Sequence, residues 1–464
     1  MPPKCCIAAM MLRRDPAPSP RSAPRAGPDR DVDCTSRDKD MPPCVSRLVA
    51  IDSPGRQDKP RIKYPTGREK MKVNMGISVQ NSQDWERIAN ENWSVPPESP
   101  DWKSVEAALA IADLAEPLGY DGIWAPEHFG TPYGMCPNPL QTLTYFAGRT
   151  ERVTFGTMVC VAPWWNPVRL AHQIAYLDIV SKGRYTTIGM GRGVAKSEFE
   201  ALGVPREESR ERFNETLDII KLALTTERFS YDGEIFKIPE MSLRPQPFSA
   251  DLSERVFGSA ATPESLEILS RRGIVPLFVG NKPIEAAGEE VKQVNRFRAE
   301  EGFTPCQPKN VMFMYCSPDA SDVARTDEWM WTANRDVTLH YKFADPSNFV
   351  GVKGYESYAA RAGAATAILA SAVTGDQPAE RPKMPGYHPS NLLIGNPDQV
   401  IERIIAAQKA CGFSELTLVP NFGTMPYEDA IKSVRLFAEE VLPVIHKLDA
   451  SLSLELRGPD AVAA

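Results

Sequence analysis

From Val73 onward, short apolar runs of strand length alternate with longer amphipathic segments, and the unit recurs eight times. The apolar runs fall near 73–79, 121–126, 152–161, 185–190, 255–259, 275–279, 310–316 and 415–420. Helical spacing falls near 102–118, 138–149, 167–181, 206–226, 262–272, 283–301, 319–340, 397–411 and 426–447. In the first of these, Val105, Leu109, Ala112 and Ala115 form one stripe, and Gly119 follows as a left-handed cap. Parallel strands need long crossovers, and eight strand–helix units in series close on themselves as a barrel. The sequence therefore predicts an α/β fold, a TIM (β/α)8 barrel. Two stretches exceed a minimal barrel and read as insertions after strands 4 and 7. Residues 227–250 read as a hairpin turning at Tyr231-Asp232-Gly233-Glu234, and the Gly-, Pro- and Tyr-rich residues 341–395 read as a lid.

The ends of the chain do not share this pattern. Residues 1–70 carry 15 Lys and Arg against 9 Asp and Glu, whereas the remainder carries 38 against 51. The same 70 residues hold 12 of the 42 prolines and lack apolar periodicity, so they cannot bury enough surface to offset their ordering entropy. The expected organisation is a disordered extension over 1–70, one domain over 71–448 and a flexible tail over 449–464. Met71, directly before "KVNMGISV", is an equally good start for the folded chain. No apolar h-region marks a secretory signal, and no apolar run is long enough to span a membrane. The acidic body argues against a nucleic-acid surface. Nine cysteines without C-x-x-C spacing give neither a disulfide framework nor a metal site, and suit the cytoplasm.

The stretch "YLDIVSKGRYTTIGMGRGVAKSEF" (176–199) places an arginine-glycine signal at each end of one strand. Gly183-Arg184 leads from a helix into the strand, which is the stability face of a barrel. Arg192-Gly193 leads out of the strand, which is the active face. Glycines there let backbone N–H groups approach an anion, and Arg192 adds a forked cation. The dinucleotide fingerprint G-x-G-x-x-G fails here, because Val194 stands at its last glycine and the strand is the fourth rather than the first. Glu127 and His128 close the second strand and belong on the same active rim, where histidine can move a proton near neutral pH. Ser259, Thr262 and Ser265 follow the fifth strand where a helix begins, a place that binds phosphate, although Thr262-Pro263 equally reads as a plain helix cap. Tyr133, Met135, Trp164, Trp165 and Phe278 are the expected apolar pocket lining.

Together, "GYDGIWAPEHFG", "VTFGTMVCVAPWWNPVRLAHQIAYLDIVSKGR", "IGMGRG", "ERFNETLDIIKLAL" and "FAEEVLPVI" resemble the luciferase-like flavin monooxygenases over residues 71–448. That resemblance implies reduced FMN, delivered by a separate flavin reductase, and O2 as co-substrate for the oxygenation of a hydrophobic organic molecule. It implies proton transfer by His128, a non-prolyl cis peptide between Met158 and Val159 against the flavin, and a flavin phosphate between Arg192-Gly193 and the Ser259, Thr262, Ser265 region. It also implies a homodimer through the helices beside the second and third strands. Luciferases carry a reactive cysteine two residues before the glycine of the arginine-glycine pair; Gly191 stands there in this chain, which argues against light emission from a long-chain aldehyde. Two alternatives remain open at this level. One is hydride transfer with the deazaflavin F420, and the other is a flavin-binding barrel without turnover.

Overall fold

The computed structural model describes residues 70–260, 262–280, 282–359 and 389–457. Eight parallel strands close into a barrel: Lys72–Gly76, Gly122–Ala125, Thr154–Thr157, Tyr185–Gly191, Val256–Ser259, Val275–Val279, Lys309–Cys316 and Glu415–Val419. Closure is carried by the last strand, which pairs with the first at Lys72↔Glu415 through Met75↔Leu418 and with the seventh at Lys309↔Glu415 through Phe313↔Val419. The fold is thus the expected TIM barrel.

Local sequence sets where the helices begin. Asn138, Asn166, Thr262 and Asn396 each cap a helix and are each followed by proline, which fits the first turn because it has no N–H to satisfy. Apolar helix faces pack onto the outside of the barrel in one large core, and a second, smaller cluster gathers Val337, Phe343, Phe349, Val352, Tyr355 and Tyr358. Arg184 does the structural work expected of it. Its guanidinium donates to Ser181 O, Thr150 Oγ1, Val153 O, Ala147 O and Thr150 O, all at 2.9–3.0 Å, and so ties together the loops at the amino-terminal end of the barrel.

Inside the barrel lies a polar layer that hydrophobic periodicity does not announce. The buried Lys309 ammonium pairs with Glu415, donates to Thr187 Oγ1 at 2.7 Å, and sits over the Phe257 ring at 4.3 Å. Asn74 donates to the same Glu415 at 2.9 Å. Burial works against the Glu415 charge, but Lys309 outweighs it and holds the carboxyl below its usual range.

Several expectations need correction. The run 152–161 is one strand to Thr157 and a separate two-residue strand, Cys160–Val161, bonded to the fourth. The hairpin forms, as Phe229–Asp232 against Lys237–Met241. The region read as a lid over 341–395 ends in a strand, Leu392–Gly395, that extends the sheet along the seventh strand; its residues 360–388, with His388, lie outside the described residues. The tail expected to be flexible from 449 packs down, burying Ala450, Leu452 and Leu456. The amino-terminal extension to residue 69 and residues 458–464 lie outside the described residues. Among those described, no helix is long and apolar enough to cross a membrane.

Candidate active site

The loops leaving the carboxyl ends of the strands surround one cavity. Its two ends have different chemistry. At one end are guanidinium groups and a helix terminus, and at the other is an imidazole.

The first end begins where the fourth strand stops, at Gly191-Arg192-Gly193. Across from it the fifth strand stops at Ser259, and Thr262 caps the helix Pro263–Arg271 by accepting from Ser265 N at 3.3 Å. The Thr262 and Ser265 hydroxyls are 3.0 Å apart. Arg210, from the helix Ser209–Thr225, donates to Ser265 Oγ at 3.3 Å and pairs with Glu264 at 3.0 Å. Arg210 is only 5% exposed, and its Nε lacks a hydrogen-bond partner. Burial lowers its pKa, and the nearby charge of Arg192 lowers it further. Two guanidinium groups and the hydroxyls and positive dipole end of a helix N-terminus therefore converge, an arrangement suited to a phosphate dianion. A strap of main chain lies across them. Arg192 donates to the carbonyls of Lys353 at 2.8 Å and Gly354 at 2.9 Å, and its guanidinium stands 4.0 Å from the centre of the Tyr355 ring. The Tyr355 hydroxyl donates to Gly193 O at 2.6 Å. Gly354 passes between the two arginines at φ +80°; a Cβ there would overlap Arg210 Nη2 and lie 2.9 Å from Arg192 Nη1.

The second end follows the second strand. His128 Nδ1 is 3.0 Å from Glu198 Oε1, which also accepts the Phe129 N–H at 2.9 Å. Glu198 belongs to the helix Lys196–Ala201, directly beyond the Arg192 loop. Its second oxygen is 3.4 Å from His340 Nε2 without hydrogen-bond alignment, and both atoms are buried and unpartnered. Burial alone would raise the Glu198 pKa; the hydrogen bond and charge of His128, and then His340, outweigh it and hold the carboxyl at about 2. Burial lowers the His340 pKa, so this imidazole is neutral near pH 7. The Tyr133 ring stands 5.0 Å from both imidazoles. Gly134, at φ +66°, makes room for the His128 ring, because a Cβ there would lie 2.5 Å from Cδ2.

The wall between the ends comes from the third strand. The Met158–Val159 peptide is cis, and both residues line the cavity. Glu127 also borders the cavity, but its carboxyl is committed to this wall. Oε2 accepts from Val161 N at 2.6 Å and from Trp165 Nε1 at 3.1 Å, and burial pushes its pKa up to about 8.

Of the residues that the sequence singled out, Glu127, His128, Tyr133, Met158, Val159, Trp164, Arg192, Gly193, Ser259, Thr262 and Ser265 line this one cavity. It does not gather Trp165 or Phe278, nor Met135. Trp165 turns away to hold Glu127. Phe278 is buried beside Val279, which lines the cavity; side chains alternate along a strand, so Phe278 points into the helix layer. Met135 packs against the core. Arg210, Glu198, His340 and Tyr355 were not singled out for the site. A signal existed for two of them. Arg210 sits on the buried stripe with Phe213, Leu217 and Ile220, and His340 sits on one with Met330, Ala333 and Val337. A charged or titratable side chain on an apolar stripe requires a partner.

Comparison with known proteins places this geometry in context. Over 343 residues the chain is 26% identical to the oxygenase component of a flavin-dependent trigonelline monooxygenase from Acinetobacter baylyi, covering 72% of this chain and 88% of that one. It is 27% identical over 335 residues to an alkanal monooxygenase alpha chain from Aliivibrio fischeri, covering 71% and 90%. Among solved structures, the monooxygenase RslO1 from Streptomyces bottropensis superposes with a TM-score of 0.62 at 23% identity, over 81% of this chain and 99% of that one. Both of these curated relatives are named as monooxygenases, and the first as flavin-dependent. The profile of the luciferase-like monooxygenases matches residues 75–414, from the first barrel strand to the threshold of the last, and the chain belongs to that family.

Proposed function

We propose that the chain is the oxygenase component of a two-component flavin monooxygenase, which uses reduced FMN and O2 to oxygenate a hydrophobic organic molecule and receives its reduced flavin from a separate reductase. The observation that carries this reading is the cavity lined by Arg192, Thr262, Ser265 and His128, with Arg210 behind it and bonded to Ser265. The residues present fit a flavin phosphate: the buried Arg210 Nε still lacks an acceptor, and Arg192 has only main-chain carbonyls. Arg192, Arg210, Thr262 and Ser265 would hold the phosphate, with Gly193 and Ser259 beside them and Met158 and Val159 as the apolar wall. Bound reduced flavin would supply the electrons that activate O2. His128 takes up or returns a proton at Nε2, the ring nitrogen not engaged by Glu198. Trp164 and Tyr133 help exclude water.

Light emission from an aldehyde is not part of the proposal. A side chain at Gly191 would overlap Val159 Cγ2, so a cysteine there would require Val159 to move. Tyr145 and Tyr176 are 44% and 55% exposed on the helices Pro139–Ala147 and Pro167–Val180, which supports a homodimer through that side.

The test is oxygen uptake by the purified protein, supplied with reduced FMN or with reduced deazaflavin F420, in the presence of candidate organic substrates. Product carrying one atom from O2, with FMN only, supports the proposal. Oxygen-independent reduction of a substrate with the deazaflavin replaces it with the hydride-transfer alternative. Binding of FMN without turnover under either condition leaves a flavin-binding barrel.

A further inference from the structure

We propose that Glu198 is the positioning residue of this site: its carboxylate, set between His128 and His340, keeps the ring proton of His128 on Nδ1 and so leaves Nε2 as the nitrogen that exchanges a proton with the cavity. The chemical role rests on the oxygenase reading, whereas the geometry stands without it.

Three observations carry the assignment. Glu198 Oε1 is an acceptor twice over, from Phe129 N at 2.9 Å and at His128 Nδ1, 3.0 Å away. A backbone N–H can only donate, so this oxygen is fixed as an acceptor, and the nitrogen facing it must carry the hydrogen. Glu198 is 1% exposed, so it cannot swing to water and release the imidazole. Gly134 packs against the Cδ2 edge of the ring, where a Cβ would collide with it. The carboxylate is ionised near neutral pH, with a pKa of about 2, and can stay an acceptor throughout.

The proton step then balances within named atoms. When Nε2 takes a proton, the donor's bond to hydrogen breaks, an N–H bond forms, and the ring becomes a cation facing the Glu198 carboxylate. When Nε2 gives the proton back, the ring returns to the neutral form with hydrogen on Nδ1. The titratable groups facing the pair are Tyr133 and Glu127 from the segment after the second strand, and His340 and Tyr341 from the helix Ala320–Tyr341. On the helix of Glu198 itself, Lys196 and Glu200 pair with each other at the surface, 3.6 Å apart. His340 Nε2 approaches the second carboxylate oxygen to 3.4 Å, and burial lowers its pKa.

The experiment is nitrogen-15 NMR of the histidine side chains in the folded protein, free of flavin. The chain has five histidines, and His128 is assigned by the signal lost in His128→Gln. The expected result is hydrogen on Nδ1 of His128 in the wild type. Glu198→Gln, whose amide can donate as well as accept, moves part or all of that population to Nε2–H, and Glu198→Asp keeps the wild-type form. In turnover, Glu198→Gln lowers kcat on the order of 10²-fold and leaves the flavin KM within about twofold. Hydrogen on Nε2 in the wild type, or a tautomer unchanged in a folded Glu198→Gln, overturns the proposal. If Glu198→Gln does not fold, the wild-type tautomer decides alone. Absence of turnover with any reduced flavin defeats the oxygenase reading while leaving the tautomer result intact.

Discussion

Arg192 donates to the carbonyl oxygen of Gly354 at 2.9 Å, which commits a cation on the cavity wall to the protein's own main chain. The contact joins the fourth-strand loop to a segment 162 residues away. Tyr355 secures it from both sides, through its ring against Arg192 and its hydroxyl on Gly193 O. These two bonds, to the carbonyls of Lys353 and Gly354, use two of the five guanidinium N–H groups and leave the others for an anionic ligand. Tyr355→Phe removes a buried hydrogen bond and leaves the Gly193 carbonyl without that donor. It is expected to lower stability by about 1–2 kcal/mol in urea denaturation and to speed hydrogen exchange over residues 349–358. Unchanged exchange in this segment would show that the hydroxyl does not hold the strap.

Replacing His128 separates chemistry from binding. The imidazole is bonded to Glu198 and not to the groups around Arg192 and Arg210, so His128→Gln should leave FMN affinity within a few-fold. Turnover should fall by about 10²- to 10⁴-fold, the usual contribution of a positioned acid or base. Comparable losses in both would make His128 a binding residue.

Glu127 predicts a stability effect with a definite sign. Burial raises its folded pKa to about 8, against an ordinary value of 4.5. Between these values the folded chain keeps a proton that the unfolded chain has lost. Its contribution to stability is thus complete below about pH 4.5 and declines as pH rises toward about 8, by a few kcal/mol in all. Glu127→Gln retains an oxygen for Val161 and Trp165 and removes the titration. Urea midpoints measured from pH 5 to pH 8 should show the variant gaining on the wild type as pH rises, and parallel curves would contradict the assignment.

The parts of this molecule that were legible in its sequence are those fixed by local pattern. The barrel follows from strand and helix periods, the helix starts follow from Asn-Pro and Thr-Pro steps, and the contrasting places of Arg184 and Arg192 follow from which end of a strand each occupies. The position of the cis peptide came from family resemblance. What was not legible depends on contacts between distant segments. Arg210 meets Ser265 across 55 positions, His128 meets Glu198 across 70, and Lys309 meets Glu415 across 106. Aromatic residues near a strand end were legible by type but not by direction, and Phe278 and Trp165 face away from the cavity that Tyr133 and Trp164 line. The strand Leu392–Gly395 was hidden because a four-residue apolar run in a Gly- and Pro-rich region has no period of its own.

The claim on which the account depends is that Arg192 and its neighbours hold a terminal phosphate, and paired binding titrations test it most directly. FMN and riboflavin differ only in that phosphate. The account predicts that Arg192→Ala weakens FMN binding by about 10- to 100-fold, the worth of a charged hydrogen bond or two, and leaves riboflavin binding unchanged. Equal loss for both flavins, or no loss for FMN, would contradict it.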